Sequence, residues 1–475
     1  MYTRLNLNCL VHSHRVFCKR SFANLLPKNH YKDPTLPQFV VGPENGFLPR
    51  QDPMSKLPRE FKELESLLQR MPLTLKDGKS GLLATGDFGK AIEAELPLYN
   101  VSHINDTRLL TALFRDYTFA ASAYLLEPCD ILQRQKQDYG FGRDKLPKNI
   151  AVPLVEVASK IGAKPFMEYA QSYSLFNYHR VDQNRGIKYE NLELIRQFSG
   201  MASEHGFILV HVAMVAHSGN QVKHVLGAIE AADRNDRTQF NLELRGLLSA
   251  LQTINRVMDT MWMHSNPDDY NKFRTFIMGT KNQPMFPNGV IYEGVSEEPT
   301  FYRGESGAND SIVPTADNFL ELTSFMPHNP LTDILRDFRS YRPYNHNEWL
   351  AWLEKKAKKV KIREFSLQNS STCVLYMALL DQVREFRARH WNFTKEYILK
   401  HTMHPVATGG SPITTWLPNQ LDTVLQVIEK TSEHVDSSQL GSGDAALAEE
   451  LTTRAQAQRR VLKREVEELR TKYHQ

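Results

Sequence analysis

His390 stands inside an apolar stripe. Leu379, Val383, Phe386, His390, Phe393 and Tyr397 recur at alternating steps of four and three, the spacing that lines one face of a helix. An imidazole on such a face has two nitrogens to satisfy. It either hydrogen-bonds within the core or gives one nitrogen to a metal such as iron. His211 is a second histidine of this kind, the single polar residue of Phe207-Ile-Leu-Val-His-Val-Ala-Met-Val215. A haem iron needs one strong axial nitrogen, an apolar slot for the porphyrin and a distal side whose polarity steers O₂. Two lone histidines leave both haem ligation and plain core hydrogen bonding open. Downstream, Thr408-Gly-Gly-Ser411 has the small-residue composition of a mobile loop that closes over a ligand.

Other chemistries find no support. There is no His-Glu-x-x-His, no P-loop, no nucleophile elbow and no dinucleotide glycine fingerprint. Gly304 and Gly307, in Tyr302-Arg-Gly-Glu-Ser-Gly-Ala308, sit in a loop too short for phosphate binding that reads as a turn. Four scattered cysteines, Cys9, Cys18, Cys129 and Cys373, make neither a disulfide framework nor a zinc site. They fit a reducing, cytoplasmic setting. A formal charge of +4 over 475 residues does not describe a nucleic-acid binder. The basic run Lys355-Lys-Ala-Lys-Lys-Val-Lys361 reads as a solvated helix face. No apolar run approaches the length of a bilayer span. The first 32 residues carry Arg4, His12, His14, Arg15, Lys19, Arg20 and Lys28 with no acid. That composition suits either a mitochondrial presequence or a disordered basic terminus.

The elements that must position these residues are helical. Residues 59–70, Arg108–Leu126, Leu154–Ile161, Phe166–Tyr178, Glu193–Ala216 and Leu242–Met263 show helical spacing, and helices resume at Asn318 and continue through His390. Period-two runs are absent, so a large sheet is not expected. The chain divides into a basic extension (1–35), a small helical domain (36–190), a large helical domain holding both histidines (191–430), and a tail (431–475). The turn-rich Arg180-Val-Asp-Gln-Asn-Arg-Gly186 separates the two helical parts. In the tail, Ser437–Gly443 reads as a flexible linker. Leu447, Leu451, Leu462, Val466, Leu469 and Tyr473 give an incomplete heptad, expected as a solvated helix or weak coiled coil.

With these residues in place, the chain from about Leu36 to Lys430 resembles the indoleamine 2,3-dioxygenase family. The most specific matches are Arg303-Gly-Glu-Ser-Gly-Ala308 with Asp317 downstream, Arg387-x-x-His390, and Thr408-Gly-Gly-Ser411. The resemblance implies an all-α protein with a small N-terminal and a larger haem-binding C-terminal domain. It implies haem b, ferrous in the active form, and insertion of O₂ across the indole C2–C3 bond of L-tryptophan. The product would be N-formyl-L-kynurenine, the first step of the kynurenine route toward NAD. His390 would be the iron ligand through Nε2, and Arg387 would face a haem propionate while paired with Asp317. Arg274 would hold the substrate carboxylate and Tyr270 would pack on the indole. Tyr169, Ser172 and Phe207 would line the pocket, Ser306 would lie over the haem, and Thr408 would close on the amino-acid end.

The chain also departs from the family pattern. His211 stands where mammalian members carry a small hydroxyl residue, and it could accept the indole N–H or meet bound oxygen. Asp269 replaces an aromatic before Tyr270; it would either compete for Arg274 or cap the turn after Pro267. Asn309-Asp310 replace Gln-Ser. These departures keep open a family member that holds haem with little turnover, as a sensor or interaction protein. L-tryptophan and O₂ are the expected partners, with no nucleic acid and no membrane. The chain is expected to be a monomer whose C-terminal tail offers a helical contact.

Overall fold

The longest apolar stretch of the first half folds into one helix, Thr107–Lys136, buried on every side from Leu110 to Glu127. It runs past the expected end at Leu126 and continues through Pro128. A proline inside a helix deprives the carbonyl four residues back of its donor. Here that carbonyl belongs to Tyr124, and the Arg143 guanidinium donates to it instead. The computed structural model describes residues 35–136, 138–325, 337–400, 406–410 and 413–473. The basic N-terminus and Ser411 lie outside the described residues.

Among the described residues, the helices of eight or more residues are α1 (Lys62–Arg70), α2 (Phe88–Glu95), α3 (Thr107–Lys136), α4 (Lys148–Ile161), α5 (Ala202–Val215) and α6 (Ser218–Asp233). They continue with α7 (Arg237–Asp259), α8 (Ile312–Phe319), α9 (Tyr344–Val360), α10 (Ser370–Thr394), α11 (Ile413–Ser432) and α12 (Ser442–Tyr473). Strands form only two short ladders. β1 (Lys145–Leu146) runs parallel to β4 (Ile291–Tyr292), and β2 (Tyr178–Arg180) antiparallel to β3 (Leu192–Leu194). The fold is all-α, as the periodicity predicts. No helix among the described residues is long and apolar enough to cross a membrane.

α3 packs on α4; α6, α7, α10 and α11 form a consecutive series of packed neighbours, and α5 packs on α7. One apolar cluster extends through both halves, from Phe39 to Leu462. Charges buried beside α3 are paired. Asp116 accepts from Arg115 Nε (2.7 Å) and from Arg196 Nη2 (2.7 Å), and Arg196 Nη2 also reaches Glu65 (2.6 Å).

Several segments differ from their periodicity. Phe166–Tyr178 is not a helix: Tyr169–Tyr173 makes a single π turn, and the chain then leaves as β2. The Glu168 carboxylate accepts from the N–H groups of Ala170 and Gln171, an N-cap that fixes the turn in place. Likewise Glu193–Ala216 begins as β3, closing a hairpin over the Arg180–Gly186 turn, and turns helical only at Ala202. α8 starts at Ile312, six residues before Asn318, because the Asp310 carboxylate accepts from the N–H groups of Ile312 (3.0 Å) and Val313 (3.2 Å).

The tail departs most from expectation. Instead of a flexible linker and a solvated helix, Asp436 caps a 3₁₀ turn at Ser437–Gln439, and α12 packs on α10 and α11. Ala448, Leu451, Ala455 and Leu462 are buried, so the incomplete heptad finds its partner within its own chain. Polar contacts flank that seam. Glu465 accepts from Trp391 Nε1 (3.0 Å) and pairs with Lys395 (2.9 Å), while Arg454 pairs with Asp381 (3.0 Å). Removing residues 442–475 uncovers the facing apolar surface. Loss of Leu451 and Leu462 burial alone corresponds to about 3–6 kcal/mol. Truncation should therefore lower the thermal midpoint by several degrees in calorimetry, and an unchanged midpoint would show that α12 does not dock.

Candidate functional site

His390 faces empty space rather than the core. On its stripe Leu379, Val383, Phe393 and Tyr397 are buried, but Phe386 and His390 open onto cavities. His390 lies where two of them meet. The first holds about 870 Å³ of empty space, part of it open to solvent, between Phe207, His211, Tyr270, Glu305, Ser306, Thr408 and the aromatic residues that follow His390. The second, about 840 Å³, is bounded by Asp317, Arg339, Arg342, Phe386 and Arg387. Gly307, Trp416 and Leu417 line both.

Among the described residues none hydrogen-bonds the His390 ring; only its backbone carbonyl accepts, from Thr394 Oγ1. Burial pushes the imidazole down to about 4, so it is neutral at pH 7 with a free lone pair. That is the state in which histidine ligates a metal.

Across the first cavity stands His211. Its Nδ1 lies 3.0 Å from the carbonyl of Phe207. A carbonyl can only accept, so Nδ1 carries the proton and Nε2 keeps a lone pair. Burial is the main force that pushes this imidazole down to about 4, the nearby His390 adds to it, and the Phe207 carbonyl opposes it. Phe207 and Tyr169 stand edge-on to the ring at 5.4 Å and 6.0 Å between centroids. α5 comes close to the Met261–His264 turn at Gly206. A Cβ there would lie 1.9 Å from the His264 carbonyl oxygen, so only glycine permits this approach.

The second cavity is cationic at its rim. Arg387 Nη2 reaches both oxygens of Asp317 (2.9 Å and 2.7 Å), and Nη1 donates to the Gln420 carbonyl. Burial pushes the Asp317 carboxyl up, against the pull of Arg387. Arg342 donates to the carbonyls of Ala308, Asn309 and Asp310, while its Nη1 has no partner among the described residues. Burial pushes Arg342 down to about 10. Val313, Pro314, Phe386 and Leu417 supply apolar walls. One unpartnered imidazole, apolar walls and buried arginines beside them match the three needs of a haem: an axial nitrogen, a slot for the ring and cations for the propionates. Among the described residues no three ligating side chains gather into a metal cage.

A backbone crossing sets one wall of the first cavity. Segments 277–280 and 302–305 pass so closely that a Cβ on Gly304 would lie 2.3 Å from the amide nitrogen of Gly279. The glycine-containing loop is therefore a packed crossing rather than a plain turn. Thr408 and its neighbours are strapped onto it. Thr408 Oγ1 donates to the Glu305 carbonyl (2.6 Å), Gly279 N to the Thr408 carbonyl (3.0 Å), and Arg303 Nη1 to the Gly409 carbonyl (2.8 Å). The described part of the supposed mobile loop is thus held down. Ser306 caps the next 3₁₀ turn, its Oγ accepting from Ala308 N.

His211, Phe207, Tyr270, Ser306, Thr408 and His390 share the first cavity, and Arg387 and Asp317 the second. Tyr169, Ser172 and Arg274 stand behind the cavity wall. The Ser172 hydroxyl donates to the Glu168 carbonyl (2.6 Å), and the Tyr169 hydroxyl is buried with no partner among the described residues. Arg274, fully buried, donates to Tyr139 Oη (3.2 Å) and to the Val406 carbonyl (2.8 Å), and its Nε has no partner among the described residues. Asp269 neither competes for Arg274 nor caps the turn. Its two oxygens go to Lys272 (2.7 Å) and Ser203 (2.7 Å), and the cap after Ser265 is Asn266. Sequence reasoning gave no role to Glu305, Arg342 or Trp416. Their signals were faint, since a lone charge or an isolated tryptophan in a chain this long points nowhere until the neighbouring segment is known.

An all-α fold with a lone imidazole between an apolar and a cation-rimmed cavity suits the haem-binding class. The sequence profile described as indoleamine 2,3-dioxygenase matches residues 35–458, and the chain belongs to that family of haem dioxygenases. It is 24% identical over 412 residues to indoleamine 2,3-dioxygenase 1 of Rattus norvegicus, covering 83% of this chain and 95% of the relative. It is 27% identical over 303 residues to human indoleamine 2,3-dioxygenase 2, covering 60% and 73%. With the indoleamine 2,3-dioxygenase of Saccharomyces cerevisiae it shares 26% identity over 392 residues, covering 77% and 80%.

Replacing His390 by alanine removes the one unpartnered imidazole at the cavity junction. The variant is expected to retain almost no haem, while His211→Ala retains it. Haem per protein, read as pyridine haemochrome, decides between them; equal haem in His390→Ala and the parent would overturn the ligand assignment.

Proposed function

We propose that the protein holds haem b on His390 Nε2 and converts L-tryptophan and O₂ to N-formyl-L-kynurenine. The observation that carries this reading is the facing pair in the first cavity: a neutral His390 with no ring hydrogen bond among the described residues, and a His211 whose remaining lone pair belongs to Nε2. The bound haem would supply O₂ activation. The chain's own part is positioning and electrostatics. Phe207 and Tyr270, with ring centroids 5.3 Å apart, offer an aromatic wall for the indole. His211 Nε2 can accept the indole N–H, with Tyr169 packed edge-on behind it to fix the ring. Arg387, neutralised in part by Asp317, would meet a propionate. Arg274 would take the substrate carboxylate by releasing the Val406 carbonyl, and Ser306 and Thr408 border that end. Ser172 holds the Glu168 turn that carries Tyr169.

The reading in which haem is held without turnover drew its main argument from Asp269, and the ties of that carboxylate to Ser203 and Lys272 remove the argument. The direct test is anaerobic reduction of the purified protein followed by L-tryptophan and O₂, with N-formylkynurenine identified by mass. No product would reject the reaction.

Arg274→Ala is expected to raise the KM for L-tryptophan about 30-fold or more at unchanged haem content, since losing one partner of a buried carboxylate–guanidinium pair typically costs about 2–5 kcal/mol. Steady-state kinetics beside haem quantification checks it. For His211→Ser, the preference in kcat/KM for tryptophan over 1-methyl-tryptophan should shrink, because the acceptor for the indole N–H is gone. If His211 served only the Phe207 carbonyl, thermal stability would fall and that ratio would stay fixed.

A further inference from the structure

Glu305 turns a carboxyl into the first cavity and finds nothing there to pair with. It is 5% exposed, and among the described residues its side chain accepts no hydrogen bond and joins no ion pair. Its backbone is fixed on both sides, the amide donating to the Ile277 carbonyl (3.1 Å) and the carbonyl accepting from Thr408 Oγ1 (2.6 Å). The carboxyl is therefore held at the cavity wall by the glycine crossing rather than left to swing toward solvent. Among the described residues lining this cavity, it alone carries a carboxyl. Of the nearby hydroxyls, Thr408 Oγ1 donates to the Glu305 backbone carbonyl, and Ser306 Oγ accepts from the Ala308 amide.

Isolated burial of a carboxylate is costly, and burial pushes Glu305 up to about 8. A cation arriving in the cavity would remove that cost. Tyr270, which lines the same cavity, is acted on electrostatically by both the Arg274 guanidinium and the Glu305 carboxyl. An α-amino acid carries its two charges on neighbouring atoms, and this arrangement offers one complementary group for each.

We propose that Glu305 receives the ammonium group of the indole substrate, so that the cavity selects amino-bearing indoles by their cationic end. The assignment rests on the tryptophan reading above and adds to it a specificity-determining residue. Charge-assisted hydrogen bonds of this kind are worth more than neutral ones.

The test is calorimetric titration of haem-loaded parent, Glu305→Gln and Glu305→Asp with three probes: L-tryptophan, tryptamine, which keeps only the ammonium, and indole-3-propionate, which keeps only the carboxylate. Glu305→Gln is expected to weaken L-tryptophan and tryptamine by about tenfold to a hundredfold and to leave indole-3-propionate equal or tighter. Glu305→Asp should recover part of the loss for the two amines alone. A loss shared by all three probes, or no loss for any, overturns the assignment even if the parent forms N-formylkynurenine. If the parent binds none of the three, the substrate reading fails and takes this assignment with it.

Discussion

An imidazole on a cavity wall with no hydrogen-bond partner among the described residues keeps a lone pair for a ligand, and the architecture holds His390 in that condition. Everything near His390 maintains the arrangement. α10 is long and rigid, its N-terminus capped by the Asn369 side chain. Neighbouring α7 and α11 pack along it and leave the histidine between two cavities instead of filling the space. Burial keeps the ring neutral, so no proton must leave before a metal can bind.

The two cavities differ in chemistry because different backbone devices build them. On the side of Asp317, the fork of Arg387 and the carbonyl-bound Arg342 bring positive charge to an apolar slot. On the side of His211, the wall is a crossing of two chain segments that only paired glycines allow, with the Thr408 strap laid over it. One side is suited to anionic ends of a flat ring. The other presents an aromatic wall, an accepting nitrogen and a free carboxyl.

α12 gives the site a brace that lies outside both cavities. Glu465 takes the indole N–H of Trp391, the residue directly after His390, and Arg454 pairs with Asp381, nearly three turns earlier on the same helix. A small turn of α10 about its axis would swing the His390 imidazole away from the cavity junction. Contacts on the opposite face of α10 oppose that movement.

Local pattern alone determined that the chain is helical, that His390 and His211 lie in apolar helices, and that Arg387 precedes His390 by one turn on the same helix. These follow from the 3.6-residue period, which depends only on neighbours along the chain. Other features were settled by contacts between distant segments. The tail finds its seam on α10 and α11. Asp269, which in the sequence stands beside Tyr270 as a rival for Arg274, is claimed by Ser203, 66 positions away. Glu305 acquires meaning in the same manner, since its lack of a partner is a property of the space around it. Periodicity fixes which face a residue takes; whether that face meets a neighbour, a cavity or a charge is decided only when the elements pack.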